Sequence, residues 1–61
     1  MNKKFLRLTS VREMTGLSRS TIYLMMRDGS FPKNVLLGAR SVGWLVGDIE
    51  AWIDSRINRQ V

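Results

Sequence analysis

A chain of 61 residues with neither cysteine nor histidine has to hold itself together by packing alone. No disulfide staples it, no thiolate or imidazole ligates a structural metal, and the commonest general base is missing. A domain of this size buries only about 60% of the surface its unfolded chain exposes. That implies a single domain over residues 1–61 with one compact core and no room for a deep substrate pocket, so neither a small-molecule substrate nor a cofactor is expected. Hydrophobic residues at 44% and charged residues at 25% supply enough apolar surface for folding rather than disorder.

The N-terminal run MNKKFLRLTS is basic and lacks the apolar stretch of a signal peptide. No segment approaches the roughly 20 apolar residues of a membrane span, so the chain reads as cytoplasmic and without a membrane partner. Ten Lys and Arg against five Asp and Glu give a net charge of +5. On so small a surface that excess attracts polyanions, and nucleic acid is the partner it favours, although charge alone fits a merely soluble basic protein equally well.

Local patterns supply a shape. Ser10-Val11-Arg12-Glu13 has the S-x-x-E order of a capping box, which predicts a short helix starting there, with Val11 and Met14 on one face and Gly16 ending it in the left-handed conformation. Ser18 has the character of the next N-cap, predicting a second helix from Arg19 to Asp28. Within it Ile22, Met25 and Met26 form an apolar stripe, while Arg19, Ser20, Tyr23 and Arg27 lie largely off it. Gly29 closes this helix and Pro32 makes Phe31 extended.

β-like apolar runs at Val35-Leu36-Leu37 and Val42-Gly43-Trp44-Leu45, separated by Gly38-Ala39-Arg40-Ser41, predict a β-hairpin with Arg40 near its tip. The tip lacks an Asn-Gly turn, which leaves its class and register open. A last helix over Gly47–Ile57 carries acids early, Arg56 late, and a stripe of Ile49, Trp52, Ile53 and Ile57 to cover the hairpin and the first two helices. Residues 1–7 read as a basic arm, with Lys3, Lys4 and Arg7 as electrostatic aids, and 59–61 as a loose tail.

Two short helices around a Gly16-Leu17 turn, then a hairpin and a covering helix, give a mainly α fold with a small β-hairpin: a winged helix-turn-helix. In that fold the second helix presents its first turn to DNA, where free amides and the dipole favour phosphate and where Ser18, Ser20 and Thr21 bring hydroxyls. Arg19 and Arg27 extend the same face, each able to hold a guanine edge or to pin a phosphate. Arg40 on the wing is placed for the minor groove or its phosphates, and Lys33 and Ser41 complete the candidate set.

Four ordered segments also carry a family resemblance: TGLSRSTIY, Gly29-Ser30-Phe31-Pro32, Gly38-Ala39-Arg40-Ser41-Val42-Gly43-Trp44 and Ile49-Glu50-Ala51-Trp52-Ile53. Together, over Leu8 to Arg56, they resemble the AlpA family of small prophage regulators, and more distantly the phage excisionases and the DNA-binding part of MerR-type regulators. The resemblance implies a non-catalytic winged-helix protein that acts on double-stranded DNA at promoters or attachment sites of a mobile element, as a transcriptional regulator or alternatively as an excisionase. Integrase, or self-association on repeated sites, is a further partner it brings into view. Members often carry a basic residue straight after the Ile-Tyr pair, where this chain has Leu24; Arg27 or Lys33 then has to make the backbone contact.

Plainer readings stand beside these. Ser10 and Ser18 serve as helix caps whether or not they touch a ligand. Tyr23 either packs its ring on the turn or also reaches a phosphate with its hydroxyl, and Trp44 and Trp52 read as core. The five carboxylates are taken up by caps, helix starts and exposed helix positions, and no Gly-rich phosphate loop follows a strand, so catalysis is not expected. The alternative to DNA binding is a protein-interaction module, such as an anti-repressor, using the apolar hairpin edge and the Met-bearing helix.

Overall fold

The computed structural model describes residues 4–58. The order of elements is β1 (Phe5–Leu6), α1 (Leu8–Thr15), α2 (Arg19–Asp28), β2 (Val35–Leu36), β3 (Val42–Leu45) and α3 (Val46–Ile57). The three strands form one antiparallel sheet in the order β1-β3-β2. This is the mainly helical, winged helix-turn-helix architecture, with one strand more than the hairpin alone.

The helix-turn-helix follows from its glycine and hydroxyl residues. Gly16 takes φ 74°, a left-handed conformation open to glycine at no Cβ cost, and its N–H returns to the Arg12 carbonyl at 2.8 Å to end α1. Ser18 then caps α2, its Oγ accepting from the Thr21 N–H at 3.2 Å. Gly29, at φ 85°, ends α2 over the Met25 and Met26 carbonyls.

Two expectations change at the N-terminal side. Ser10 is not a cap: α1 begins at Leu8 after an extended Arg7, which offers no side-chain cap, and Ser10 is half-buried inside the helix. The supposed basic arm contains β1, with Phe5 opposite Leu45 and Leu6 opposite Trp44. The pairing continues into the Val46 N–H, which donates to the Lys4 carbonyl at 2.8 Å. Strand pairing, together with Leu8 packing on the core, sets where α1 starts, and it overrides a local S-x-x-E signal. Lys3 and the supposed loose tail at 59–61 lie outside the described residues.

The core is small. Val11, Ile22, Trp44 and Ile49 are fully buried and Phe31 nearly so. Leu6, Leu8, Leu17, Tyr23, Met25, Met26, Trp52 and Ile53 pack around them. Met14 and Ile57, assigned to apolar stripes by spacing, are instead exposed, because α1 and α3 each extend past the edge of this short core. Two indoles anchor the connection from α2 to the wing: Trp44 Nε1–H donates to the Pro32 carbonyl at 3.0 Å and Trp52 Nε1–H to the Ser30 carbonyl at 2.8 Å. Phe31 between them meets the Trp52 ring edge-on at 4.9 Å.

Candidate nucleic-acid interface

Helix α2 buries Ile22 and half-buries Met25 and Met26. At 100° per residue, the direction opposite those three is held by Ser20, Leu24 and Arg27, and all three are exposed. Neither the hairpin nor α3 covers that side of the helix.

The first turn of α2 is a short chain of hydroxyls. The Ser18 hydroxyl donates to Thr21 Oγ1 at 2.9 Å while its oxygen accepts the Thr21 amide, and Ser20 Oγ lies 3.4 Å from Ser18 Oγ. Ser18 therefore spends its proton and a lone pair inside the cap. The Thr21 hydroxyl proton is left to point elsewhere, so Thr21 is the better donor toward an external acceptor, whereas the Ser20 hydroxyl is the one placed to donate to Ser18 Oγ.

Tyr23 resolves into a packing residue first. Its ring meets the buried Trp44 ring edge-on at 6.4 Å, and the Arg19 guanidinium lies over it, 5.6 Å from its centroid. A line of rings and charge thus runs from strand β3 to the surface of α2. It holds Arg19 against the flank of the helix, whereas Arg27 projects from the last turn without such a support. Asp28 beside it is turned to the connector: the Ser30 hydroxyl, at 2.5 Å, and the Ser30 N–H, at 3.0 Å, hold its carboxyl below the ordinary value of 3.8.

The wing has a defined register, with Val35 opposite Gly43 and Leu36 opposite Val42. The N–H groups of Leu37 and Gly38 both donate to the Ser41 carbonyl, at 2.7 and 3.3 Å, closing a tip of Gly38, Ala39 and Arg40. No residue of this tip has positive φ. Arg40 is exposed on it as expected; Ser41 is half-buried and acts through its carbonyl. Lys33 is exposed on the connector, beside a surface groove whose far wall is Asp48, Ala51 and Trp52 of α3. The nine candidates therefore fall into three places: the α2 face with its cap, the connector, and the wing tip.

The outer face of the sheet carries a signal that sequence patterns missed. Phe5, Val35 and Leu37, between 38% and 43% exposed, share the side of the sheet on which Gly43 has no side chain. Alternation in β3 did hint that Gly43 and Trp44 face opposite ways. The contribution of Phe5 required the unforeseen strand β1.

Among the described residues no cluster of three or more His, Cys, Asp or Glu side chains is positioned for a metal ion, and no helix is long and apolar enough to cross a membrane. Comparison with known proteins agrees with this geometry. The chain is 47% identical over 55 residues to the ORF88 protein of Enterobacteria phage P4, covering 90% of this chain and 62% of that protein, so it spans less than two thirds of that relative. It is 39% identical over 59 residues to the DNA-binding transcriptional activator AlpA of Escherichia coli (strain K12), covering 87% of this chain and 84% of that protein. The family model described as prophage CP4-57 regulatory protein (AlpA) matches residues 4–57, from the start of β1 through α3. A helix-turn-helix, a wing and a family match over the same residues lead to one conclusion: the chain belongs to the AlpA family of prophage regulatory proteins.

Proposed function

We propose that this protein binds double-stranded DNA sequence-specifically and regulates transcription of a prophage or mobile element, with no catalysis of its own. The observation that carries this reading is the uncovered outward side of α2, where Ser20 and Arg27 stand opposite the buried Ile22 in a chain of net charge +5. A helix about 10–12 Å across fits a major groove about 12 Å wide. The first turn of α2 meets base edges and phosphates through Arg19, Ser20 and Thr21, with Ser18 holding that turn; Tyr23 supports Arg19; Arg27 and Lys33 reach the backbone; and Arg40 follows the adjacent groove, on a wing tip closed by Ser41. The DNA-binding activator relative supports the same reading.

A single small module buries roughly 600–1,000 Å² on DNA, less than the larger or repeated interfaces of many specific complexes. We therefore infer cooperative binding of several copies to adjacent or repeated sites. The exposed Phe5, Val35 and Leu37 on the outer sheet face favour contact with another protein, whether a second copy or an integrase. Binding at attachment sites would make the protein an excisionase with the same DNA-reading helix.

Gel shifts with nonspecific, promoter and prophage-end DNA at several salt concentrations test the reading. Affinity should fall steeply with salt, by a log–log slope near 0.9 for each neutralised phosphate, with promoter or end DNA bound in preference. Salt-independent or absent binding would favour the protein-interaction module instead.

A further inference from the structure

The middle of the outward side of α2 is aliphatic. Leu24 is 59% exposed, four residues after Ser20 and three before Arg27, in the direction that leads away from the core. An exposed leucine by itself means little. This one stands between the two polar residues that face DNA in the reading above, and on that reading its surroundings decide what it touches.

Leucine has no donor and no acceptor, so it satisfies neither a phosphate oxygen nor a polar base edge. Docked between Ser20 and Arg27, it would desolvate whatever lies opposite. In the major groove the bases are told apart by donors and acceptors, and thymine alone adds a methyl group, on C5. Ser20 to Arg27 spans about 10 Å along the helix, comparable to three base pairs, so Leu24 faces a base adjacent to those nearest its two neighbours.

We propose that Leu24 is a specificity-determining residue, reading the C5 methyl of one or two adjacent thymines in the binding site. The proposal rests on α2 entering the major groove. Charge complementarity brings the backbone to this face through Arg27, with Arg19 on its flank, and Leu24 selects the base. Asp28 does not interfere, because its carboxylate is held by Ser30 toward the connector.

The test begins with selection of binding sites from a randomised duplex pool by the whole chain. Each thymine of the selected site is then replaced singly by deoxyuridine, which removes only the methyl group, and affinities are measured for the native protein and for Leu24→Ala and Leu24→Gln. The native protein should lose about fourfold per methyl at one thymine or two adjacent ones. Both variants should be indifferent to the same replacements while keeping the native melting temperature and salt slope. Tolerance of uracil at every position, or an equal loss in native protein and variants, would overturn the assignment. So would a lowered melting temperature in both variants, which would make Leu24 a packing residue. Failure of the native protein to select any duplex would instead remove the DNA-binding reading on which the proposal stands.

Discussion

Tyr23 and Trp44 meet edge to face, with ring centroids 6.4 Å apart and planes at 67°. Tyr23 belongs to α2 and Trp44 is the fully buried centre of β3, so this pair ties the recognition helix to the sheet. The Arg19 guanidinium lies over the same tyrosine ring, 5.6 Å from its centroid. Tyr23→Ala should cost about 2 kcal/mol of stability, from lost burial and the lost ring pair, and should weaken DNA binding through the orientation of Arg19. Tyr23→Phe keeps the rings and should leave the melting temperature nearly unchanged. Any affinity it loses on DNA then reports a contact by the hydroxyl alone.

Gly43 is a site of close approach. A Cβ built there would lie 2.9 Å from Leu37 Cδ1 and 3.1 Å from the Leu6 carbonyl oxygen. The leucine tip can rotate, but the β1 backbone is held by its pairing to β3. Gly43→Ala should therefore destabilise by about 1–3 kcal/mol, as overpacking does, and for a domain this small each kcal/mol lowers the melting temperature by about 4–8 °C. A native melting temperature in this variant would show that β1 yields easily.

The cap at Ser18 separates structure from recognition. Ser18→Ala removes the acceptor for the Thr21 amide and should cost about 1 kcal/mol, while Ser18→Gly should cost only a few tenths. Thermal melting of the two variants checks the difference. A DNA affinity for Ser18→Gly close to native would confine the Ser18 hydroxyl to capping.

Asp28 gives the fold an acid-sensitive element. The Ser30 hydroxyl, and then the Ser30 N–H, stabilise its charged form in the folded chain and lower its titration below the ordinary 3.8. The contribution is complete above that ordinary value and disappears as pH falls through the lower folded one. Urea midpoints measured on the acid side should fall over that window in the native protein and flatten in Asp28→Asn, which keeps an acceptor for Ser30 but not the charge.

The cations divide by role. Arg19→Ala and Thr21→Ala should weaken binding to a selected site more than to random DNA, because they act at the first turn of α2. Lys3→Ala should act on all sequences alike, and Arg27→Ala should lower the salt slope by about one unit if it pins a phosphate. Competition gel shifts at two salt concentrations read both quantities. Equal losses on every DNA for all of them would argue against a recognition role for α2.

Where a local rule coincided with the tertiary need, the sequence was readable. Gly16, Ser18 and Gly29 are punctuation whose physics acts within four residues, and they mark the turn and both ends of α2 as predicted. The short apolar runs around Val35–Leu36 and Val42–Leu45, on either side of Gly38-Ala39-Arg40-Ser41, likewise revealed the wing. Ser10 misled because its S-x-x-E order competes with strand β1, whose pairing to β3 joins residues some 40 apart and leaves no local trace in Phe5–Leu6. Met14 and Ile57 misled because periodicity assigns a face to a residue without saying how far the core reaches along the helix.

The sequence by itself determined the two helices of the turn, the wing, the buried tryptophan of β3 and the cationic, hydroxyl-bearing side of α2, because each depends on side chains a few residues apart. Only the tertiary structure decided that Tyr23 serves Trp44 and Arg19, that the two indoles tie Ser30 and Pro32, and that the direction held by Ser20, Leu24 and Arg27 is left uncovered by the rest of the chain. Those relations arise from which surfaces meet when a chain this short closes its core, and that depends on every element at once.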